Sequence, residues 1–176
     1  MQHLDLNELE AGVDEVRQSP KDDGRVEMII RRPSEGEREL LDEARLDTEE
    51  GLVGDRWKLA ASPHLAAQLT LKNARFAALV AQSPERRKLA GDQLYVDFDL
   101  SVENIPPGTR LEIGSAVVEV SDVPHTGCRK YLDRFGTDAL KFVNSSVGRE
   151  LNLRGINTRI VVSGVVRTGD AIRKLS

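Results

Sequence analysis

The chain holds one cysteine, Cys128, within the run Pro124-His125-Thr126-Gly127-Cys128-Arg129-Lys130. A thiol does its chemistry as the thiolate, and three features of this run favour that form. A predicted helix starts just after Cys128, and a helix N-terminus favours an anion. Arg129 and Lys130 add positive charge, and His125 supplies a proton acceptor. A thiolate so placed can carry sulfur as a persulfide, attack an electrophile or ligate a soft metal. The bland alternative is a small buried hydrophobe, as many free cysteines are. His125 can equally serve only to hydrogen-bond a turn. A papain-type pair is a poor match, because the three-residue spacing and the flanking residues differ from those families.

The elements that must position this run are short and mostly β. Arg25 to Arg32 alternates as a strand and stops at Pro33-Ser34-Glu35-Gly36. Glu39 to Leu46 fits either a strand or a helical turn. Gln68 to Leu71 reads as a short strand, and Asn73 as the cap of a helix over 74–82. Pro84 opens another helical turn. Strands are predicted over 93–98, 109–113 and 116–121, the last two joined by a Gly114-Ser115 hairpin turn. Helices are predicted over 129–135 and 137–143, then strands over 158–166 and 171–175. Ahead of all this, Leu6, Leu9, Val13 and Val16 recur at helical spacing over 5–18. We divide the chain into an N-terminal helical extension, 1–23, peripheral to the core, and one domain, 24–176. The predicted class is mainly β with a few short helices (α+β), arranged as a barrel or a mixed β-rich fold.

Composition removes several functions. The 25 basic and 29 acidic residues leave a net charge of −4, without the basic footprint of a nucleic-acid binder. Aromatics at 4% leave little for base stacking. One cysteine excludes an internal disulfide and any multi-thiolate metal site. No stretch reaches the roughly 20 apolar residues of a membrane helix. The acidic N-terminus has no signal-peptide pattern, so a cytoplasmic protein is expected.

Several stretches then resemble a known family in their order around the cysteine. They are GLVGDRW at Gly51 to Trp57, QLTLKNARF at Gln68 to Phe76, and GDQLYVDFDL at Gly91 to Leu100. IPPGTRLEIGSAVVEV at Ile105 to Val120, PHTGCRKY, and the tail from Phe142 to Leu175 follow. Together, over Gly24 to Leu175, they resemble a MOSC domain. That module is named for the C-terminal part of molybdenum cofactor sulfurases, and the match is to its small stand-alone bacterial form. The resemblance implies a MOSC-type barrel-like fold with Cys128 in a pocket, as a persulfide carrier or a molybdenum ligand. The implied ligand is the molybdenum cofactor, a pterin (molybdopterin). Pyridoxal phosphate, also associated with the family, is not expected here: the sulfurase domain that holds it is too large for this chain. A separate cysteine desulfurase or molybdoenzyme is therefore the expected partner. Trp57, where many members carry histidine, and Asp92-Gln93 after Gly91 depart from the family pattern.

On this reading Cys128, His125 and Lys130 are the catalytic candidates, with His125 and Lys130 tuning or protonating the sulfur. Thr126, Gly127, Arg129, Arg154, Asn157, Asp55 and Arg56 are the cofactor-binding candidates. Arg154 is read either as a donor to a pterin phosphate or as a solvated side chain. Asp55 and Arg56 fit a pocket wall or a structural ion pair. The competing reading is a non-catalytic β-barrel module that binds a small anion or a partner protein, with Cys128 merely packed.

Overall fold

The computed structural model describes all 176 residues. Eleven strands are β1 (Gly24–Arg31), β2 (Glu39–Leu41), β3 (Glu43–Asp47), β4 (Gly51–Leu52), β5 (Leu69–Asn73), β6 (Leu94–Asp97), β7 (Arg110–Ile113), β8 (Ala116–Val120), β9 (Ile156–Val162), β10 (Gly164–Arg167) and β11 (Ala171–Lys174). Five helices are α1 (Leu6–Arg17), α2 (Ala74–Ala81), α3 (Arg129–Phe135), α4 (Thr137–Asn144) and α5 (Ser146–Glu150).

Seven strands close a barrel in the order β11-β7-β8-β9-β5-β6-β1, with β1 meeting β11 again. Closure leaves no free edge in the ring. One edge of β1 serves two partners. Its start pairs with β11, Gly24 opposite Ile172, and its end pairs with β2, Ile29 opposite Leu41. The pairings are antiparallel except β5 with β6, which run parallel because α2 makes the crossover between them. A small sheet, β10-β3-β4, stands beside the barrel. This is the α+β, barrel-centred fold that the MOSC resemblance implies.

Side-chain alternation sorts the strands into two cores. Leu94 and Val96 of β6 point into the barrel, whereas Tyr95 between them points at the helices. In β1, Ile29 faces the barrel and Ile30 the helices. The second core lies between the barrel wall and α1 to α4, and holds Phe76, Tyr131, Phe135, Phe142 and Leu153.

Asn73 caps α2 as expected, its side chain accepting from the N–H of Phe76. The ambiguous stretch from Glu39 is two strands, β2 and β3. The predicted strand over 158–166 is broken at Ser163 into β9 and β10, which join different sheets. The helix predicted at the periphery is a wall of the second core: Leu9, Val13 and Val16 of α1 are buried beside α2 and α4. Its apolar stripe needs a partner, and the outward face of α2 and α4 supplies one. Leu9→Ala is expected to lower the unfolding free energy by about 2–5 kcal/mol. Leu6→Ala, at a residue 43% exposed, should change it by less than about 0.5 kcal/mol. Urea denaturation of both variants checks this, and equal effects would show that α1 is not part of the core.

Candidate functional site

Four segments meet at one end of the barrel: the end of β5 with Lys72, the Gly91–Gln93 stretch before β6, the loop from β8 to Cys128, and the stretch from α5 to β9. Sequence patterning puts Lys72 on the strand face that meets the helices, where it is fully buried. Its ammonium donates to the carbonyls of Leu153 (2.7 Å) and Arg154 (3.2 Å). It also lies over the rings of Phe76 and Tyr131, 5.0 and 5.1 Å from their centroids. Burial, with the Arg154 charge adding to it, brings the Lys72 pKa down to about 7 against the opposing pull of Asp92.

Asp92, fully buried, holds the site together. Its Oδ2 accepts from Arg154 Nη1 at 2.8 Å. Its Oδ1 faces His125 Nδ1 at 3.5 Å. Burial alone would raise this carboxyl, but the charges of Arg154, His125 and Lys72 and the Arg154 hydrogen bond hold it below the usual carboxylate range. Arg154 also donates to the Ala90 carbonyl and lies over the Tyr131 ring at 5.1 Å. Gly155, at φ +122°, makes the approach possible. A Cβ there would stand 2.7 Å from the Leu71 carbonyl and about as close to Asp92 Oδ1 and His125 Nδ1 (3.1 and 3.2 Å).

The cysteine loop is tied down by two asparagines. Asn157 Nδ2 donates to the carbonyls of Val123 and Pro124. Asn144 exchanges hydrogen bonds with the N–H and carbonyl of Gly127. Asn157, expected at a cofactor, thus acts on the loop that carries Thr126, Gly127 and Cys128. Cys128 stands exposed at the start of α3. Its sulfur makes no capping hydrogen bond. Burial, the largest single influence, pushes the thiol up, but the first N–H groups of α3, from Tyr131 and Lys130, outweigh it together with the charges of Arg154 and Arg134. Its pKa lies below that of an ordinary thiol.

The two cations next to Cys128 in sequence are engaged elsewhere. Arg129 pairs with Asp133 at 3.2 Å and Lys130 with Glu35 at 2.7 Å, all on the surface. The positive field at the thiol comes instead from Arg154 and Arg134, 26 and 6 positions away in sequence. Asp55, buried, takes two hydrogen bonds from the Arg32 guanidinium and further ones from the N–H groups of Arg32 and Trp57. Both its oxygens are used inside the protein. Arg56 lies near Glu35 and Arg38 and acts on both.

Sequence reading passed over Lys72, Arg38 and Arg134, and met Asp92 only as a departure from the family pattern. Arg38 and Arg134 flank Gly91, where a Cβ would lie 3.7 Å from Arg38 Nη2 and 3.4 Å from Arg134 Nη1. Neither faces a carboxylate: Arg134 Nη1 donates to the Leu89 carbonyl at 2.9 Å, Arg38 Nη1 to the Gly36 carbonyl at 3.3 Å, and the Arg38 Nε is buried without a partner. Burial first, then the charges of Arg134, Arg56 and Arg32, lower the Arg38 pKa, with Tyr95 opposing them. Two such guanidiniums near each other favour an anion. The sequence carries no signal of burial for Lys72: Leu69-Thr70-Leu71-Lys72 alternates apolar with polar, the pattern of a strand with one face in water.

No family model matches the chain, and no curated protein matches it by sequence. Solved structures do. YuaD from Bacillus subtilis aligns with a TM-score of 0.60 at 16% identity, over 85% of this chain and 93% of that one. YiiM from Escherichia coli aligns at 0.57 and 20% identity, over 86% and 70% of the two chains. YiiM from Geobacillus stearothermophilus aligns at 0.57 and 13%, over 87% and 73%. The chain shares their fold. No helix of it is long and apolar enough to cross a membrane.

Lys72 makes stability depend on pH. The unfolded lysine titrates near 10.4, so between about pH 7 and 10 the unfolded chain binds more protons than the folded one. Stability then rises with pH across that window, and the penalty is complete below it. In Lys72→Met this rise is expected to flatten, whatever the absolute stability of the variant. Urea denaturation at a series of pH values measures it, and a wild-type curve as flat as the variant's would contradict a lowered Lys72 pKa.

Proposed function

We propose that this chain is a MOSC-type module in which Cys128 holds a persulfide or contacts molybdenum for a phosphorylated pterin. One observation carries the reading. An exposed thiol biased toward thiolate lies within the field of Arg134, which flanks Gly91 together with Arg38, and neither arginine has a carboxylate partner. The fold shared with YuaD and YiiM and the ordered motifs around Cys128 support it.

The donor set fits the molybdenum cofactor. A thiolate is a soft ligand, and guanidiniums suit a phosphate by charge and by paired donors. Cys128 would be the protein's soft ligand to such a metal. When bound, the cofactor supplies a redox-active molybdenum with sulfur ligands of its own. Arg38 and Arg134 would hold the phosphate. Lys130 can leave its exposed partner Glu35 at small cost, because such pairs contribute about 0–1 kcal/mol, and turn toward a sulfur on Cys128.

As a sulfur carrier, the Cys128 thiolate attacks the outer sulfur of a donor persulfide. The donor's S–S bond breaks, a new one forms to Cys128, and the donor cysteine leaves as thiolate. No outside oxidant is needed. The donor is a separate cysteine desulfurase, and the acceptor a molybdoenzyme or its cofactor.

Incubation with a cysteine desulfurase and cysteine should add one sulfur to Cys128, read by intact mass and lost in Cys128→Ser. Molybdopterin should bind, and Arg38→Ala with Arg134→Ala should weaken binding at least about tenfold, as expected for lost hydrogen bonds to a charged group. Neither persulfide nor molybdopterin binding, together with slow alkylation of Cys128 at neutral pH, would overturn the proposal. That result would favour the module with a packed thiol.

A further inference from the structure

A cavity away from the thiol has a chemistry of its own. A cavity of about 320 Å³ is lined by His125, Asn144, Arg149, Asn152 and Arg154 among others, and Cys128 does not line it. His125 is mostly enclosed, its side chain 17% exposed. Its Nδ1 is buried and makes no hydrogen bond; Asp92 Oδ1, also without one, faces it at 3.5 Å. The second Asp92 oxygen is taken by Arg154. A carboxylate only accepts, so the proton of the imidazole belongs on Nδ1. A neutral imidazole has one N–H, which leaves a lone pair on Nε2. Nε2 is not enclosed and has no protein partner, so it opens on the cavity. Arg149, on the same wall, has no ion-pair partner. Contacts of this kind are often long without ligand and tighten when one binds.

We infer that Asp92 is a positioning residue that fixes the His125 tautomer, so that the cavity offers an acceptor at Nε2 beside a free guanidinium. The ligand class that fits is a small anion bearing a hydroxyl or amino group: the N–H or O–H donates to Nε2, and the negative charge faces Arg149. Burial, with the charges of Arg154, Lys72 and Arg32 against that of Asp92, keeps His125 neutral, its pKa down at about 4. The acceptor is therefore present throughout the neutral range. None of this depends on the chemistry of Cys128.

Nitrogen-15 NMR of the histidine rings at neutral pH tests it on the full chain without ligand. The chain has three histidines, and His125→Gln assigns the signal. The expected spectrum shows a protonated Nδ1 and a bare Nε2. In Asp92→Asn the side-chain oxygen must stay on Arg154, which only donates, so the amide NH₂ faces Nδ1 and the proton moves to Nε2. A wild-type His125 protonated on Nε2, or on both nitrogens, would overturn the tautomer assignment even if the variant does not fold. Glycolate, with hydroxyl and carboxylate, should shift the Nε2 signal at several-fold lower concentration than acetate. Equal shifts, or none from either, would overturn the ligand class. A failed persulfide assay leaves these readouts untouched.

Discussion

The site depends on one buried ion pair, Asp92 with Arg154. Both side chains are removed from water, and such a pair is stable only when its remaining donors and acceptors find partners. Arg154 adds the Ala90 carbonyl and the Tyr131 ring, while its Nε and Asp92 Oδ1, which faces His125 at 3.5 Å, stay without hydrogen bonds. Removing either charge would strand the other, a loss of about 3–5 kcal/mol for pairs of this kind. Through this pair the stretch before β6 is locked to the entry of β9. The same pair sets the charges that act on His125, Lys72 and Cys128.

Lys72 is the cost of that arrangement. A strand must send alternate side chains to the helical core, and here one of them is a lysine. It is tolerated because the backbone after α5 is irregular and turns the Leu153 and Arg154 carbonyls inward, and because aromatic faces cover the ammonium. Gly155 lets that backbone come close. Below about pH 7, where Lys72 is charged, the buried cluster carries two cations against one carboxylate, and its excess positive charge favours anions around it.

The loop carrying Cys128 separates two kinds of surface. The thiol is exposed and influenced by Arg134, which flanks Gly91 together with Arg38. His125 belongs to the enclosed polar cavity beside Arg149. Asn144 and Asn157 hold the loop from below, so thiol and imidazole keep fixed places although neither is part of a regular element. Function placed on a loop needs such anchoring, because the loop backbone has few hydrogen bonds of its own.

Most elements were legible in the sequence, because they rest on local signals. Alternation marked β1, β6, β7 and β8, Asn73 marked the start of α2, and the apolar stripe from Leu6 to Val16 marked α1. Cys128 and His125 were legible as chemistry-bearing types in one short run. What the sequence did not reveal is which charges surround them. Arg129 and Lys130 adjoin Cys128 along the chain, yet a helix turns successive side chains about 100° apart, and these two find carboxylates on the surface. Arg134, Arg154, Asp92 and Lys72 come from four separate elements that only barrel closure brings to one end. By itself the sequence determined the strands, the helices and the reactive residue types, through periodicity, capping and composition. Only the tertiary structure decided the electrostatics of the thiol and the tautomer of His125, because both depend on contacts between residues far apart in the chain.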